Sequence, residues 1–419
     1  MTKLVVKLVV LGVLLVACTA FAQDIRQNAD QNLQGAQNMD RNMPGVVRQR
    51  AFAYGLTLRE GYDSNIYSRS NDAKGSFSTT ASPDFQFGWS NPTTDVTAHY
   101  SYSAVYYQNR PEKSLDQSHN LNVSVGHEFS PRLHVVFSDD FAPGFEPDIE
   151  EGTSQRSADY IQNTARLMAT YKLNSRWDLS TSVRHYFINY DDNSTLPVFP
   201  GVPTSQTMNR QSAEVNVAVD YQPISTTTVG MSLGYNAMSY TGNNRDNSGQ
   251  TLAFRLLHSF NPRLSCDMNA GVQIQTFDVV GGQSLNPDVN MGVNYLLTSL
   301  TSVGARFSTR MQPTEVATYL EQQTFMVSGN VVHQFTPKLM GALSAMFVPS
   351  EYNGNLLVPG SPATGNQSET SYAGSLMLGY QFNVHLRGEI GYSFTHFTSD
   401  FVGRSYDRHM TYLQARVGF

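Results

Sequence analysis

The residues best suited to chemistry are the ten histidines. His99, His134 and His385 fall on the polar phase of different segments, where abundant serines and aspartates could complete a Ser-His-Asp grouping. No local signature supports such a triad. His127, His258 and His333 recur at positions that tyrosine occupies in equivalent segments, which favours amphipathic residues at a membrane interface. We therefore predict no catalytic residue and no enzyme.

A second candidate is the acidic stretch from Asp139 to Asp159, because clustered carboxylates attract hard cations such as calcium. The spacing of an EF-hand is absent. A solvated acidic loop outside the cell, near the cations of lipopolysaccharide, is the favoured explanation of the stretch. No Cys-x-x-Cys pair and no phosphate-binding glycine loop occurs, so we predict no metal and no cofactor.

The elements that carry these residues have a period of two. Leu121, Val123 and Val125 alternate with Asn122 and Ser124, so one face is apolar and the other polar. The alternating segments run for about 10 to 14 residues, whereas soluble strands have about 5 or 6. A tilted strand needs about 9 to 11 residues to cross a membrane. The pattern therefore favours membrane-spanning strands over a soluble sandwich.

A short motif marks one end of successive strand pairs: an aromatic residue or histidine, any residue, an apolar residue, then a tight polar turn. Its copies begin at His127, Tyr171, His258, His333 and Tyr380, and weaker copies begin at Tyr221 and Tyr295. Between copies lie two strands and one longer polar loop. Short turns at one end and long loops at the other are typical of transmembrane barrels.

These features predict an all-β fold, a transmembrane antiparallel up-and-down β-barrel of about 18 strands, with 16 as the alternative. Bacterial barrels have even strand numbers, which place both chain ends in the periplasm. The predicted boundaries are a signal peptide over 1–22, a polar periplasmic leader over 23–50 and the barrel over 51–419. We expect the leader to be disordered, with a short helix or plug as the alternative.

The phase that carries charge would face the lumen. An aqueous lumen is expected in a barrel of 16 to 18 strands, and its charges could line a channel or pair across strands. The predicted lumen-lining residues are Arg59, Asp84, Arg166, Arg184, Glu214, Arg255, Asp267, Arg306, Arg310, Arg387, Glu389 and Arg416. Glu128, Asp178 and Asp220 fall on the same phase, and with them the signs are mixed with a slight positive excess.

The opposite phase would face lipid. Glu60 and Asp139 are charged exceptions on this phase, and we expect both near the outer rim. Aromatic residues and histidines at the periplasmic ends of this phase predict a membrane-interface belt. Its predicted members are Trp89, His127, Tyr171, Trp177, Tyr221, His258, Tyr295, His333 and Tyr380.

The N-terminus predicts export through the inner membrane. Lys3 and Lys7 precede an uncharged apolar run, and Ala20-Phe21-Ala22 suits signal peptidase. The alternative is a lipoprotein box that would leave a lipidated Cys18. We favour cleavage after Ala22, because a barrel needs no lipid anchor. Cys266 would then be the only cysteine, which leaves no intramolecular disulfide.

The last predicted strand ends on Phe419, which resembles the signal that barrel-assembly machinery recognises. Charged residues make up 15% of the chain, below the ~25% usual for soluble domains. The net charge of −6 gives no reason to expect nucleic acid as a partner. The expected location is the outer membrane of a Gram-negative bacterium, with outer-membrane lipid, lipopolysaccharide and the assembly machinery as partners.

Gly61-Tyr62-Asp63-Ser64-Asn65-Ile66, after the first predicted strand, resembles a stretch found in a family of outer-membrane β-barrel porins. Some members of that family accompany exopolysaccharide export. The resemblance implies passive diffusion of small hydrophilic solutes and no catalytic residues. Two alternatives stay open: an outer-membrane component of exopolysaccharide secretion with an export complex as partner, and a structural or adhesive barrel with a blocked lumen. Solute, gating and oligomeric state are not predicted.

Overall fold

The computed structural model describes residues 52–111, 113–145, 159–190, 209–241, 246–278, 282–313, 319–355 and 367–419. The predicted signal peptide, the leader, Cys18 and most of the acidic stretch between Asp139 and Asp159 lie outside these ranges. Among the described residues, no helix is long and apolar enough to cross a membrane.

The described residues form eighteen strands. Their bounds are β1 Phe52–Asp63, β2 Ser76–Ser90, β3 Thr94–Tyr107, β4 Leu115–Ser130, β5 Leu133–Phe145, β6 Asp159–Lys172, β7 Trp177–Tyr190, β8 Arg210–Ile224, β9 Thr227–Tyr240, β10 Asn247–Asn261, β11 Leu264–Phe277, β12 Gly282–Thr298, β13 Thr301–Pro313, β14 Tyr319–Gln334, β15 Leu339–Asn355, β16 Gln367–Gln381, β17 Leu386–Ser399 and β18 Tyr406–Gly418.

Each strand pairs antiparallel with its neighbours in sequence, and β1 also pairs with β18. The sheet is therefore a closed meander, and closure leaves no unpaired edge. The predicted fold class is confirmed with eighteen strands, so the sixteen-strand alternative is wrong. The first described strand residue is Phe52.

The two faces of the sheet differ in exposure. In β1 the side chains of Phe52, Tyr54, Leu56 and Leu58 are exposed, while the residues between them are less accessible. Exposed apolar side chains recur on this face around the barrel. Because so much exposed apolar surface would be unfavourable in water, this outward face is suited to contact with lipid.

The strand connections sort into two ends. Eight turns of two to four residues join β2 to β3, β4 to β5 and so on to β16 and β17, and we call their side of the barrel the short-turn end. The nine connections at the other end, the loop end, have four to nineteen residues. The expected asymmetry between short turns and long loops is therefore present.

The stretch from Gly61 to Ile66 fastens β1 to β18 at the loop end. The carboxylate of Asp63 accepts three hydrogen bonds from the guanidinium of Arg408, at 2.6 to 3.1 Å, and both side chains are buried. The buried Asn65 amide donates to the carbonyls of Arg69 and Asp407. This stretch thus closes the seam between the first and last strands.

Two expectations about individual residues are wrong. Asp139 faces outward as expected, but it lies at the middle of β5, where its carboxylate accepts from the Asn163 amide at 3.1 and 3.2 Å. His385 belongs to the turn before β17 rather than to a strand, because the Asn383 side chain caps this turn. Its Nδ1 lies 2.8 Å from the carbonyl oxygen of Gly418.

Candidate functional site: the inward face of the barrel

The face opposite the exposed apolar side chains lines the inside of the barrel. Strand register places on it all twelve residues of the predicted lumen set. They are spread over β1, β2, β6–β8, β10, β11, β13, β17 and β18. The register does not bring them to one point, but it brings several of them into pairs.

One pair reaches across a whole strand. Arg416 of β18 binds Asp84 of β2 through two contacts of 2.8 and 2.9 Å, over the intervening strand β1. Gly55 of β1 lies beneath this pair. A Cβ atom at Gly55 would stand 2.8 Å from Asp84 Oδ1 and 3.1 Å from Arg416 Nη2. The ion pair therefore requires the missing side chain of glycine.

The same arrangement occurs twice more. Arg255 of β10 donates to Asp220 of β8 at 2.9 Å, and Gly230 of the intervening β9 leaves the space. Arg306 of β13 approaches Asp267 of β11 to 3.9 Å, over a strand whose inward residue is Gly292. We call the three Arg–Gly–Asp arrangements the charged rungs.

The rungs occupy one level of the barrel. Each of their nine residues lies two to six residues from its strand end on the short-turn side. Sequence analysis identified the six charged members and missed the three glycines. A glycine between charged positions is visible in a sequence, but its place beneath a particular pair depends on the register of three strands.

A further network lies at the seam between β17, β18 and β1. Arg387 pairs with Glu389 at 3.3 Å, and the hydroxyl of Tyr412 donates to Glu389 at 3.2 Å. The guanidinium of Arg59 lies 4.2 Å from the centre of the Tyr412 ring and donates to Gln414 at 2.8 Å. Glu389 is buried by these contacts, so this part of the wall is fixed rather than open to ions.

Not every inward cation is neutralised. Arg166 of β6 stands directly opposite Arg184 of β7 in the register. Arg184 lies 3.7 Å from Glu214, a distance for electrostatic attraction rather than a hydrogen bond. Arg166 is exposed, and no ion pair to another described residue is formed. Arg306 and Glu214 also remain about half exposed, at 46% and 42%.

The inward face of β14–β16 differs from the rest, and we call it the uncharged arc. Met346, Val348 and Ala373 form a buried cluster, with Met326 packed against it. Ser344 and Ser375 are hydrogen-bonded across the strands at 2.6 Å. Among its described side chains the arc carries one charge, Glu369, which lies two residues from the loop end of β16.

The described part of the inward face carries more carboxylates than cations, whereas we expected a slight positive excess. Register adds the buried cations Arg210 and Arg408, and Lys172, but it adds more carboxylates than cations. The added carboxylates are Asp63, Asp95, Asp116, Asp140, Asp288 and Glu369. The expectation failed because these residues lie near strand ends or in segments whose phase was not assigned.

Within the described part of the chain, no catalytic constellation forms around the candidate histidines. His99 and His134 face inward on β3 and β5, while His385 lies in a turn at the short-turn end. Among the described residues, no group of three His, Cys, Asp or Glu side chains could hold a metal ion. Cys266 is a free cysteine on the outward phase of β11.

The nine residues of the predicted belt lie on the outward face, at most three residues from a strand end at the short turns. Nδ1 of His127, His258 and His333 is hydrogen-bonded at 2.8 Å to a threonine of a neighbouring strand. Each ring also packs edge-on against the phenylalanine two residues later. Trp177 and Tyr221 stack at 4.5 Å.

Phe419 completes this end of the seam. Its backbone exchanges hydrogen bonds of 2.9 and 3.1 Å with Tyr54. Its ring stacks on Tyr54 and on His385, with ring centres 5.6 and 4.9 Å apart. The residue is therefore a structural part of the barrel closure.

No family model matches the chain, and no curated protein does. Solved structures with a similar course of chain include OpdK from Pseudomonas aeruginosa, crystallised with vanillate (11% identity, 90% of this chain, 100% of that one, TM-score 0.46). OccAB3 from Acinetobacter baumannii (13%, 88% and 99%, 0.46) and the FrpB iron transporter from Neisseria meningitidis (11%, 87% and 64%, 0.46) are others. At such identities and TM-scores these likenesses say nothing about a substrate.

Proposed function

We propose that the chain is a porin-like channel of the Gram-negative outer membrane, through which small hydrophilic solutes diffuse passively. The observation that supports it is a closed barrel of eighteen strands whose inward face is polar and charged while its outward face is apolar. A barrel of this size has room for an aqueous lumen. Charges that are half exposed on the inward face are consistent with water there.

The proposal includes export by a cleaved signal peptide, insertion by the barrel-assembly machinery, and contact with outer-membrane lipid and lipopolysaccharide. It assigns no catalytic residue and no cofactor. The twelve inward residues of the predicted set act as lumen lining, and the nine belt residues as interface anchors. Transport then depends on the width and charge of the lumen rather than on a single binding site.

The test is single-channel conductance of the full chain, refolded and inserted in a planar lipid bilayer. Uniform, stable steps of current are expected. A protein that is folded by circular dichroism and yet silent would contradict an open channel and favour the barrel with a blocked lumen. Conductance that appears only with polysaccharide-export proteins present would favour the secretion conduit instead.

A further inference from the structure

Six of the eight short turns share one construction. The first polar residue of the turn accepts hydrogen bonds from the backbone N–H groups two and three residues later, at 2.7 to 3.3 Å. This side-chain cap fixes the turn. The capping residues are Asn91, Ser130, Asn174, Asn261, Thr336 and Asn383.

The residue two positions after the cap is basic in five of these six turns: Arg132, Arg176, Arg263, Lys338 and His385; in the turn capped by Asn91 it is Thr93. Since the cap is the same, the basic side chain starts from the same place relative to the wall. All five are exposed. For the four Arg and Lys side chains, no ion pair or hydrogen bond with another described residue is formed. We call these four side chains the basic rim.

Each member of the basic rim follows an exposed, outward-facing apolar residue by three positions. The apolar partners are Phe129, Leu173, Phe260 and Phe335, with exposures of 64, 46, 60 and 54%. Near the level of the aromatic and histidine belt, each cation therefore lies on the water side of an exposed apolar side chain. The apolar side chain and the cation follow each other in the same order as the acyl chain and the headgroup of a lipid.

At the loop end, several cations are paired with carboxylates. There Arg110 and Lys113 pair with Asp116, Arg404 pairs with Glu369 at 3.1 Å, and Arg408 pairs with Asp63. The acidic residues nearest the short turns, Asp95, Glu128 and Asp178, belong to the inward face. The basic rim is therefore left without carboxylates on the side that meets the membrane.

We propose that the basic rim binds the phosphate headgroups of anionic phospholipids in the leaflet at the short-turn end. The guanidinium groups of Arg132, Arg176 and Arg263 can each hold two phosphate oxygens, whereas Lys338 supplies a point charge. The phenylalanines and Leu173 contact the acyl chains. This proposal rests on the membrane insertion included in the proposed function, but not on an open lumen.

The experiment is native mass spectrometry of the refolded full chain, released from mixed micelles that contain phosphatidylglycerol and phosphatidylcholine with identical acyl chains. We expect retained phosphatidylglycerol to exceed phosphatidylcholine by at least about fivefold, the factor that one basic residue near a membrane surface contributes. The double variant Arg132→Gln/Arg263→Gln should lower the excess by about fivefold or more.

Two matched variants complete the test. Arg69→Gln/Lys74→Gln removes the same charge from the exposed loop 64–75 and should leave the excess unchanged. Arg132→Lys/Arg263→Lys should keep most of the excess.

Equal retention of the two lipids by the unchanged protein would overturn the proposal, as would equal losses in both Gln variants. Soluble glycerol phosphate that displaces the lipid at equal concentration would show that the apolar contacts are unused, which also overturns it. A protein that binds the lipid but conducts no current in a bilayer would contradict the proposed channel and leave the lipid proposal standing.

Discussion

The charged rungs and the uncharged arc are parts of one continuous sheet, with the same strand geometry, yet they fix their inward side chains by different interactions. In the rungs, an arginine and an aspartate meet over a glycine, as Arg416 and Asp84 do over Gly55. In the arc, Met346 and Val348 pack with Ala373 and Met326. The closed backbone therefore does not determine the chemistry of the lumen wall, which differs from one group of strands to the next.

The comparison predicts the largest effect on stability in the arc. Met346→Ala removes a buried side chain from a packed cluster and should lower the free energy of unfolding by about 2–5 kcal/mol. The measurement is urea unfolding from lipid vesicles. Because the loss is one of packing, it should be the same at 0.05 and 1 M salt, roughly a low and a strongly screening ionic strength. If the loss in free energy of unfolding changed with salt, the arc would depend on electrostatic interactions as the rungs do, and the two regions would not differ in this way.

In the rungs, the sensitive position is the glycine. Gly230→Ala places a Cβ atom 2.1 Å from Asp220 Oδ1 and 2.7 Å from the backbone carbonyl oxygen of Val219, so the backbone must shift as well as the carboxylate. Overpacking of this kind should lower the free energy of unfolding by about 1–3 kcal/mol. Gly88→Ala is the matched control, because no atom lies within 4 Å of a Cβ there. Equal losses at both sites would mean that the rung does not depend on its glycine.

The border between the two regions is β13, which carries Arg306 and Arg310. The double reversal Arg306→Glu/Arg310→Glu should shift the ratio of anion to cation permeability toward cations by about fivefold, as a change of ~1 kcal/mol in ion energy implies. Reversal potentials in a salt gradient measure it. Arg69→Glu/Lys74→Glu, in the loop 64–75, should leave the ratio unchanged. Unaltered selectivity in the β13 variant would count against these arginines lining a conducting lumen.

The smallest effect concerns Asp400, which is fully exposed in the loop before β18 and belongs to neither region. Hydrogen bonds from the Ser368 hydroxyl and backbone N–H, at 2.7 and 2.8 Å, lower the pKa of its carboxyl. A lowered pKa stabilises the folded state above the ordinary pKa of 3.8, and this contribution is lost as the pH falls through the lowered value. Ser368→Ala should bring the pKa, followed by NMR titration, back toward the ordinary value. No change would mean that the hydroxyl bond is not the main cause.

The strands were predictable because the period of two is a local property: Leu121 to Phe129 shows both faces within ten residues. The closed meander followed from the turn motif and the even strand number. The rungs were not predictable, since Arg416 and Asp84 are 332 residues apart and meet only in one register. The arc was overlooked because methionine and serine on an inward phase carry no charge to attract attention. The resemblance at Gly61 to Ile66 pointed to a real structural element, but it gave no hint of Arg408 as its partner.

The link between Asp63 and Arg408 also bears on how the barrel forms. These residues are separated by 345 positions in the chain. Bringing them together carries the loop-closure entropy of nearly the whole barrel, and contacts of such high sequence separation slow folding. The hairpins at the short turns can form early from neighbouring residues, whereas the first and last strands must meet late. The same seam would then be the first to open when the barrel unfolds, so an ion pair held by three hydrogen bonds at this place should slow the opening.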